Sequence, residues 1–248
     1  MAFGNGPRIV TNGLTLCLDV SDRNSYPGSG TTWFDVSGNK NHGTISSGEF
    51  VSNGSYLQNS GGISNFFVID VSDSTSLNNT FNIINGGWTI EEIIWTNSTN
   101  YPEADAGSVG SSAAYGGGAT GFDWNHGYGI SGFRFGQSSN SGGSYEDDNN
   151  ISISSQYSQF NTWRVRTMIW DRGSNLNSLY IDGVFIGSVN TPNTAGTSIY
   201  DGGGITFGAL YGWKHYGRRA SIRIYNKVLS ASEILQNYNT TKSRFNLK

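Results

Sequence analysis

The chain has 248 residues, 35 of them Gly, a net charge of −3, and 13% charged against 13% aromatic residues. That balance excludes a disordered polar chain and offers no basic stripe for nucleic acid, and a lone Cys17 excludes an intrachain disulfide. Strong helix formers are sparse beside Gly, Ser, Asn and Thr, no window approaches 18 apolar residues, and the start MAFGNG has no basic, then apolar, leader. The expectation is an all-β protein without membrane insertion. It would be made in a cytoplasm without a signal peptide and leave the cell by lysis or on a larger particle.

In chain order, residues 1–12 read as an arm with little to bury, and residues 13–248 as one domain. Leu14–Val20 alternates, with Leu14, Leu16, Leu18 and Val20 on one face. A turn-rich excursion follows around Pro27-Gly28 and Gly38, anchored by Trp33 and Phe34. Short strands are expected at 54–57 and 66–71. The run from Trp88 to Trp95 sets Trp88, Ile90, Glu92 and Ile94 against Thr89, Glu91, Ile93 and Trp95. Two strands are read near 128–136 and 150–154, joined by a polar loop. Trp163–Trp170, a loop to Asn177, and Leu179–Asp182 form a paired element. Asp182-Gly183 is a hairpin turn leading into Val184–Ile186, and a further strand covers 205–210.

The chain closes on ASIRIYNKVLSASEILQNY. Ile222 and Ile224 alternate with Ser221, Arg223 and Tyr225, as in a strand with one wet face. Ser230 and Glu233 have capping-box spacing, with Leu229 and Ile234 in the staple positions. The helix they start is expected to be about two turns long, presenting Ile234, Leu235 and Tyr238 to an apolar surface. This strand and Leu14–Val20 are expected to pair antiparallel in one sheet, burying Leu16 with Ile222.

Four pieces carry a resemblance: GLTLCLDVSDRNSY with SGTTWFDVSGNKNHGTI, WTIEEIIW, MIWDRGSNLNSLYIDGVFIGS, and SIRIYNKVLSASEILQNYN. Together they resemble the laminin-G-like, concanavalin A-like lectin–glucanase family, over residues 13 to 245. The resemblance implies a concanavalin A-like β-sandwich (jelly roll) of two antiparallel sheets with one short C-terminal helix. The closing pattern is most similar to virion proteins of tailed bacteriophages, especially those of marine cyanobacteria. Members of the family bind glycans or proteins, decorate particles, or hydrolyse polysaccharides, so the fold alone does not choose among these roles.

Catalysis in the glucanase branch implies alternate carboxylates on one strand. Here Glu91 and Glu92 are adjacent and project to opposite faces, so they cannot form the close pair a retaining glycosidase needs. One is expected to face solvent and the other to be partly buried. Cys17 reads as a packed, inert thiol. For glycan binding the candidates are Trp124, Asn125, His126, Tyr128, Trp213 and Tyr216, aromatic and amide groups that also suit the core or rim of a sandwich. Glu146, Asp147 and Asp148 have calcium-ligand chemistry but read first as a solvated loop tip, so no cofactor is expected and calcium is the alternative. The first reading is a non-enzymatic structural protein of a phage virion, serving as capsid decoration, fibre or tail appendage. Its partners would be other virion proteins and further copies of itself. The alternative is an adhesin for host polysaccharide, and a hydrolase comes last.

Overall fold

The computed structural model describes residues 8–46, 50–59, 68–72, 74–81, 86–96, 109–111, 121–125, 132–138, 150–153, 161–190, 204–210, 213–214, 217–245 and 247. In chain order the strands are β1 (Leu14–Asp19), β2 (Thr32–Trp33), β3 (Gly43–Ser46), β4 (Phe50–Ser52), β5 (Leu57–Asn59) and β6 (Val68–Val71). Helix α1 (Thr75–Thr80) precedes β7 (Gly87–Thr96), β8 (Val109–Ser111), β9 (Gly121–Asn125), β10 (Gly132–Ser138) and β11 (Asn150–Ser152). Then come β12 (Trp163–Asp171), β13 (Leu176–Ile181), β14 (Val184–Asn190), β15 (Ile205–Phe207), β16 (Ala209–Leu210), β17 (Trp213–Lys214) and β18 (Gly217–Tyr225). Helix α2 (Ala231–Thr241) and a 3₁₀ turn (Lys242–Phe245) follow.

These strands form two large antiparallel sheets and a small β16–β17 pair. The first runs β14-β13-β12-β7-β18-β5-β4, with β1 paired to the C-terminal half of β18; the second runs β11-β10-β9-β8-β15-β6-β3-β2. The pairing of β1 with β18 agrees with the sequence expectation: Leu16 lies opposite Ile224 and Leu18 opposite Ile222, all four fully buried in one core. Between the sheets lie Trp33, Ile69, Trp88, Ile90, Met168, Trp170, Leu179 and Phe207. Trp88 and Trp170 stack with centroids 4.3 Å apart, and Phe81 meets Trp88 edge-on.

The hairpin read at Asp182-Gly183 is present. Both residues have positive φ, 53° and 79°, as a tight hairpin turn demands. Other expectations shift. Residues 54–55 form the bend between β4 and β5 rather than a strand, because the Asn53 carboxamide accepts from the Ser55 and Tyr56 N–H groups and closes the turn. Of the two aromatic anchors expected in the first excursion, Trp33 is buried and Phe34 is exposed. Helix α1, capped by Ser74 and burying Leu77, was not read from the sequence.

The closing unit departs furthest from expectation. The capping box of Ser230 and Glu233 is formed, but α2 runs for 11 residues before the 3₁₀ turn extends it. It buries Ile234, Asn237, Tyr238 and Thr241, whereas Leu235 is 47% exposed. Leu235 neighbours Ile234 in sequence, and 100° of rotation carries it off the buried stripe. The face of β18 expected to be wet is covered: Ser221, Arg223 and Tyr225 are all buried, with Tyr225, Leu229 and Ile234 in one cluster. Val10 joins that cluster, and its N–H donates to Asn237 Oδ1. The stretch before residue 13 therefore contributes to the packing. Among the described residues no helix is long and apolar enough to cross a membrane.

Candidate functional site

Strand β18 organises both candidate regions through one irregularity. Arg219 pairs with Ile94 and Ser221 with Ile93, so Ala220 is an extra residue. An insertion of one residue inverts the alternation before it. Continued back from Ile222, strict alternation would turn Arg219 outward; instead it enters the sandwich and lies over the Phe207 ring of the second sheet, 5.9 Å from its centroid. Arg218 is thereby turned to the outer face. Gly217 opens the strand: a Cβ there would lie 1.9 Å from the Trp95 carbonyl oxygen, so only glycine allows this approach of β18 to β7.

On the outer face, four residues form one cross-strand row. Trp163 of β12 faces Trp95 of β7, Trp95 faces Arg218 of β18, and Arg218 faces Gln58 of β5. The Arg218 guanidinium carbon lies 4.8 Å from the Trp95 ring centroid and 4.9 Å from that of Tyr56, and its Nε donates to Gln58 Oε1 at 2.9 Å. Tyr56 reaches Trp163 at 5.4 Å between centroids, and Phe245 packs on Trp163 at 4.5 Å. Tyr56, Gln58, Trp95, Trp163 and Arg218 are all partly exposed. The result is a ledge of aromatic faces with an oriented guanidinium and an amide, the inventory that holds a polar ring or chain from one side.

The two strand carboxylates behave otherwise than expected. Both are buried, Glu91 at 1% and Glu92 at 0% exposure. They do point to opposite faces. Glu91 lies beneath α2, where it takes Arg223 Nη1 at 2.5 Å, Thr167 Oγ1 at 3.3 Å and Asn237 Nδ2 at 3.4 Å. Glu92 lies between the sheets, where Arg166 Nη2 approaches one oxygen at 2.5 Å and Arg219 Nη2 the other at 3.2 Å. The solvent-facing carboxylate expected from the pleat is absent because α2 roofs the outer face and Arg223 supplies the countercharge. Burial opposes the Arg223 charge, but Glu91 more than restores it, and its pKa is raised. For Arg219 burial dominates: Glu92 offsets it only in part, Arg166 adds to it, and the pKa falls below the usual arginine range.

Elsewhere, Asp35 ties down the first excursion by accepting from the N–H groups of Cys17, Ser37 and Asn41. Asp19 meets Arg244 through both carboxylate oxygens; burial works against its charge, but Arg244 prevails and holds its pKa below the usual value. Burial pushes the Cys17 thiol up to about 11, the protonated, unreactive state read from the sequence.

Of the residues singled out for glycan binding, Trp124 and Asn125 lie in β9 of the second sheet, opposite Phe135 and Arg134, and Trp213 lies in β17 opposite Leu210. His126, Tyr128 and Tyr216 lie outside the described residues, as do Glu146, Asp147 and Asp148. Among the described residues no three His, Cys, Asp or Glu side chains gather as metal ligands. The outer row was missed by the sequence reading. Its signal, large amphipathic residues at Trp95 and Trp163, could be seen only with the register that aligns them.

No family model matches the chain, and no curated protein matches its sequence. Solved structures do match in shape. The binding domain of botulinum neurotoxin DC in complex with SialylT has a TM-score of 0.61 at 15% identity, and the binding domain of Paraclostridial Mosquitocidal Protein 1 one of 0.61 at 16%. A botulinum neurotoxin type C structure gives 0.62 at 13%. Each comparison covers 93% of this chain but only 52% of the other, so the chain spans about half the length of these neighbours. At such identities the likeness concerns the fold: a β-sandwich of two antiparallel sheets that these binding domains share.

Proposed function

We propose that this chain is a non-enzymatic binding module that recognises carbohydrate through the outer ledge of the first sheet. The observation that carries the reading is the row Trp163–Trp95–Arg218–Gln58, set by strand register and partly exposed along its length. Sugars offer apolar ring faces and hydroxyl rims, which aromatic rings and an amide–guanidinium pair complement. Two further facts agree. The carboxylates that a hydrolase would need are sealed on opposite faces, each spent on arginine. Of the neighbours in shape, one toxin domain is described with SialylT, and type C toxin is described as dependent on two ganglioside molecules for cell entry. A glycan array probed with the full chain tests this reading. Binding to a defined set of glycans is expected, weakened about tenfold or more by Trp95→Ala, since one stacked ring contributes on the order of 1–3 kcal/mol. A blank array would overturn it.

A second reading concerns where the module is carried. The closing YNKVLSASEILQNY unit resembles those of tailed-phage virion proteins, and the edge strand β14 exposes Val184 and Phe185, apolar surface suited to docking on another virion protein or another copy. Mass spectrometry of gradient-purified particles would detect the chain at many copies. Its absence from them would remove the virion role and leave the binding module standing.

A further inference from the structure

We infer that the outer ledge selects an acidic glycan, one whose sugars bear carboxylate or sulfate groups, with Arg218 as the anion-binding residue. This rests on the carbohydrate reading above and narrows it. Three features of Arg218 point to an anion. Its guanidinium is held between the Trp95 and Tyr56 rings, which fix its plane before any ligand arrives. Its inner edge is occupied, Nε donating to the Gln58 carboxamide oxygen. Its Nη1 and Nη2 groups, by contrast, donate to nothing among the described residues, and the side chain is partly exposed. A guanidinium with one edge anchored and the other open presents the parallel pair of N–H donors that a carboxylate or sulfate accepts in bidentate fashion.

The other arginines of this sheet are already engaged. Arg166 and Arg219 serve Glu92, Arg223 serves Glu91, and Arg164 serves Asp182. Among the described residues Arg218 stands apart from them in having aromatic rings and an amide, and no carboxylate, around it. A cation needed only for stability in a sheet so rich in charge pairs would be expected to have a carboxylate partner. The row also has the extent of a short chain of sugars: three inter-strand steps span about 14 Å. An acidic residue placed on Arg218 would leave its neighbour over Trp95 and Trp163, so charge and stacking are read at adjacent positions.

Isothermal titration of the full chain separates the possibilities, using three oligosaccharides: an oligogalacturonate, a dextran sulfate oligomer and a neutral dextran oligomer. The acidic ligands are expected to bind and the neutral one to bind far more weakly, with the tighter of the two acidic arms identifying carboxylate or sulfate as the preferred group. Arg218→Met should weaken acidic binding about 10–100-fold, the loss of a charge-assisted pair of hydrogen bonds. Arg218→Lys should restore only part of it, because an ammonium cannot form the fork. Arg172→Gln, in the turn just past the opposite end of β12, should leave binding unchanged, and unchanged melting of each variant would exclude misfolding. Equal binding of the neutral oligomer, or acidic binding indifferent to Arg218→Met, would overturn the inference while leaving glycan recognition intact. Failure of all three ligands beside a positive glycan array would do the same, whereas a blank array would remove both.

Discussion

Glu91 and Glu92 are neighbours on one strand, equally buried, and each within 3.2 Å of an arginine, yet their surroundings differ in kind. Beneath α2, one carboxylate meets one guanidinium, and a hydroxyl and an amide donate to its remaining lone pairs. Asn237 is itself fixed there, donating to the Tyr225 hydroxyl oxygen and accepting from the Val10 N–H. Between the sheets, two guanidiniums share one carboxylate, and no nitrogen of Arg219 makes a directed hydrogen bond. The outer network is balanced because the helix brings polar groups to it. Among the described residues the inner one sets two cations against one anion, with Arg219 over an aromatic ring, a costly arrangement in a medium with little water.

The contrast predicts an order of effects. Glu92→Gln should be the most damaging change, about 4–5 kcal/mol, because it removes the charged carboxylate that two buried guanidiniums approach. Urea unfolding at pH 7 measures it, and a loss below about 1 kcal/mol would mean water reaches the inner cluster. Arg223→Met should cost about 3 kcal/mol: it strands Glu91, but Thr167 and Asn237 still donate to that carboxylate. In the double variant with Asn237→Ala the cost should exceed the sum of the two single changes, since each then removes the other's substitute.

The helix that completes the outer network gives a third test. Ile234→Ala should cost about 2–3 kcal/mol, because Ile234 packs with Val10, Tyr225 and Leu229. Leu235→Ala should change stability by less than about 0.5 kcal/mol, since that side chain reaches solvent. Thermal melts of the pair decide whether α2 roofs the sheet through one stripe; equal losses would show that both residues are packed in solution.

These differences mark what the sequence made legible. Alternation at Leu14–Val20 and Ile222–Ile224, the Asp182-Gly183 turn and the Ser230–Glu233 cap are local signals, and each element is present. Two features escaped for physical reasons. Burial of the outer face of β18 depends on where α2 lies, which no period of two or 3.6 encodes, so Ser221, Arg223 and Tyr225 read as wet. The bulge at Ala220 is a single inserted residue without glycine or proline to announce it, and it decides which of Arg218 and Arg219 faces outward. The ledge depends on that inversion. Trp95 and Trp163 are 68 positions apart in the chain and become a surface only through the register of β7 with β12.

One fully buried charge is expected to be dispensable. Arg219→Met should leave stability within about 1 kcal/mol of the wild type, on the stabilising side. The guanidinium is fully buried, its pKa is lowered chiefly by burial, and its hold on Glu92 is a single 3.2 Å approach. Arg166 remains at 2.5 Å on the other carboxylate oxygen, so removal of Arg219 leaves a neutral pair instead of an excess cation. Methionine is unbranched and can follow the vacated path toward Phe207, where its sulfur meets the ring favourably. The same substitution at Arg223 leaves an excess anion. Two arginines four residues apart on one strand should therefore answer Arg→Met with opposite signs. A loss at Arg219 as large as that at Arg223 would mean that the inner carboxylate requires both guanidiniums, and that the two faces of β7 are balanced alike.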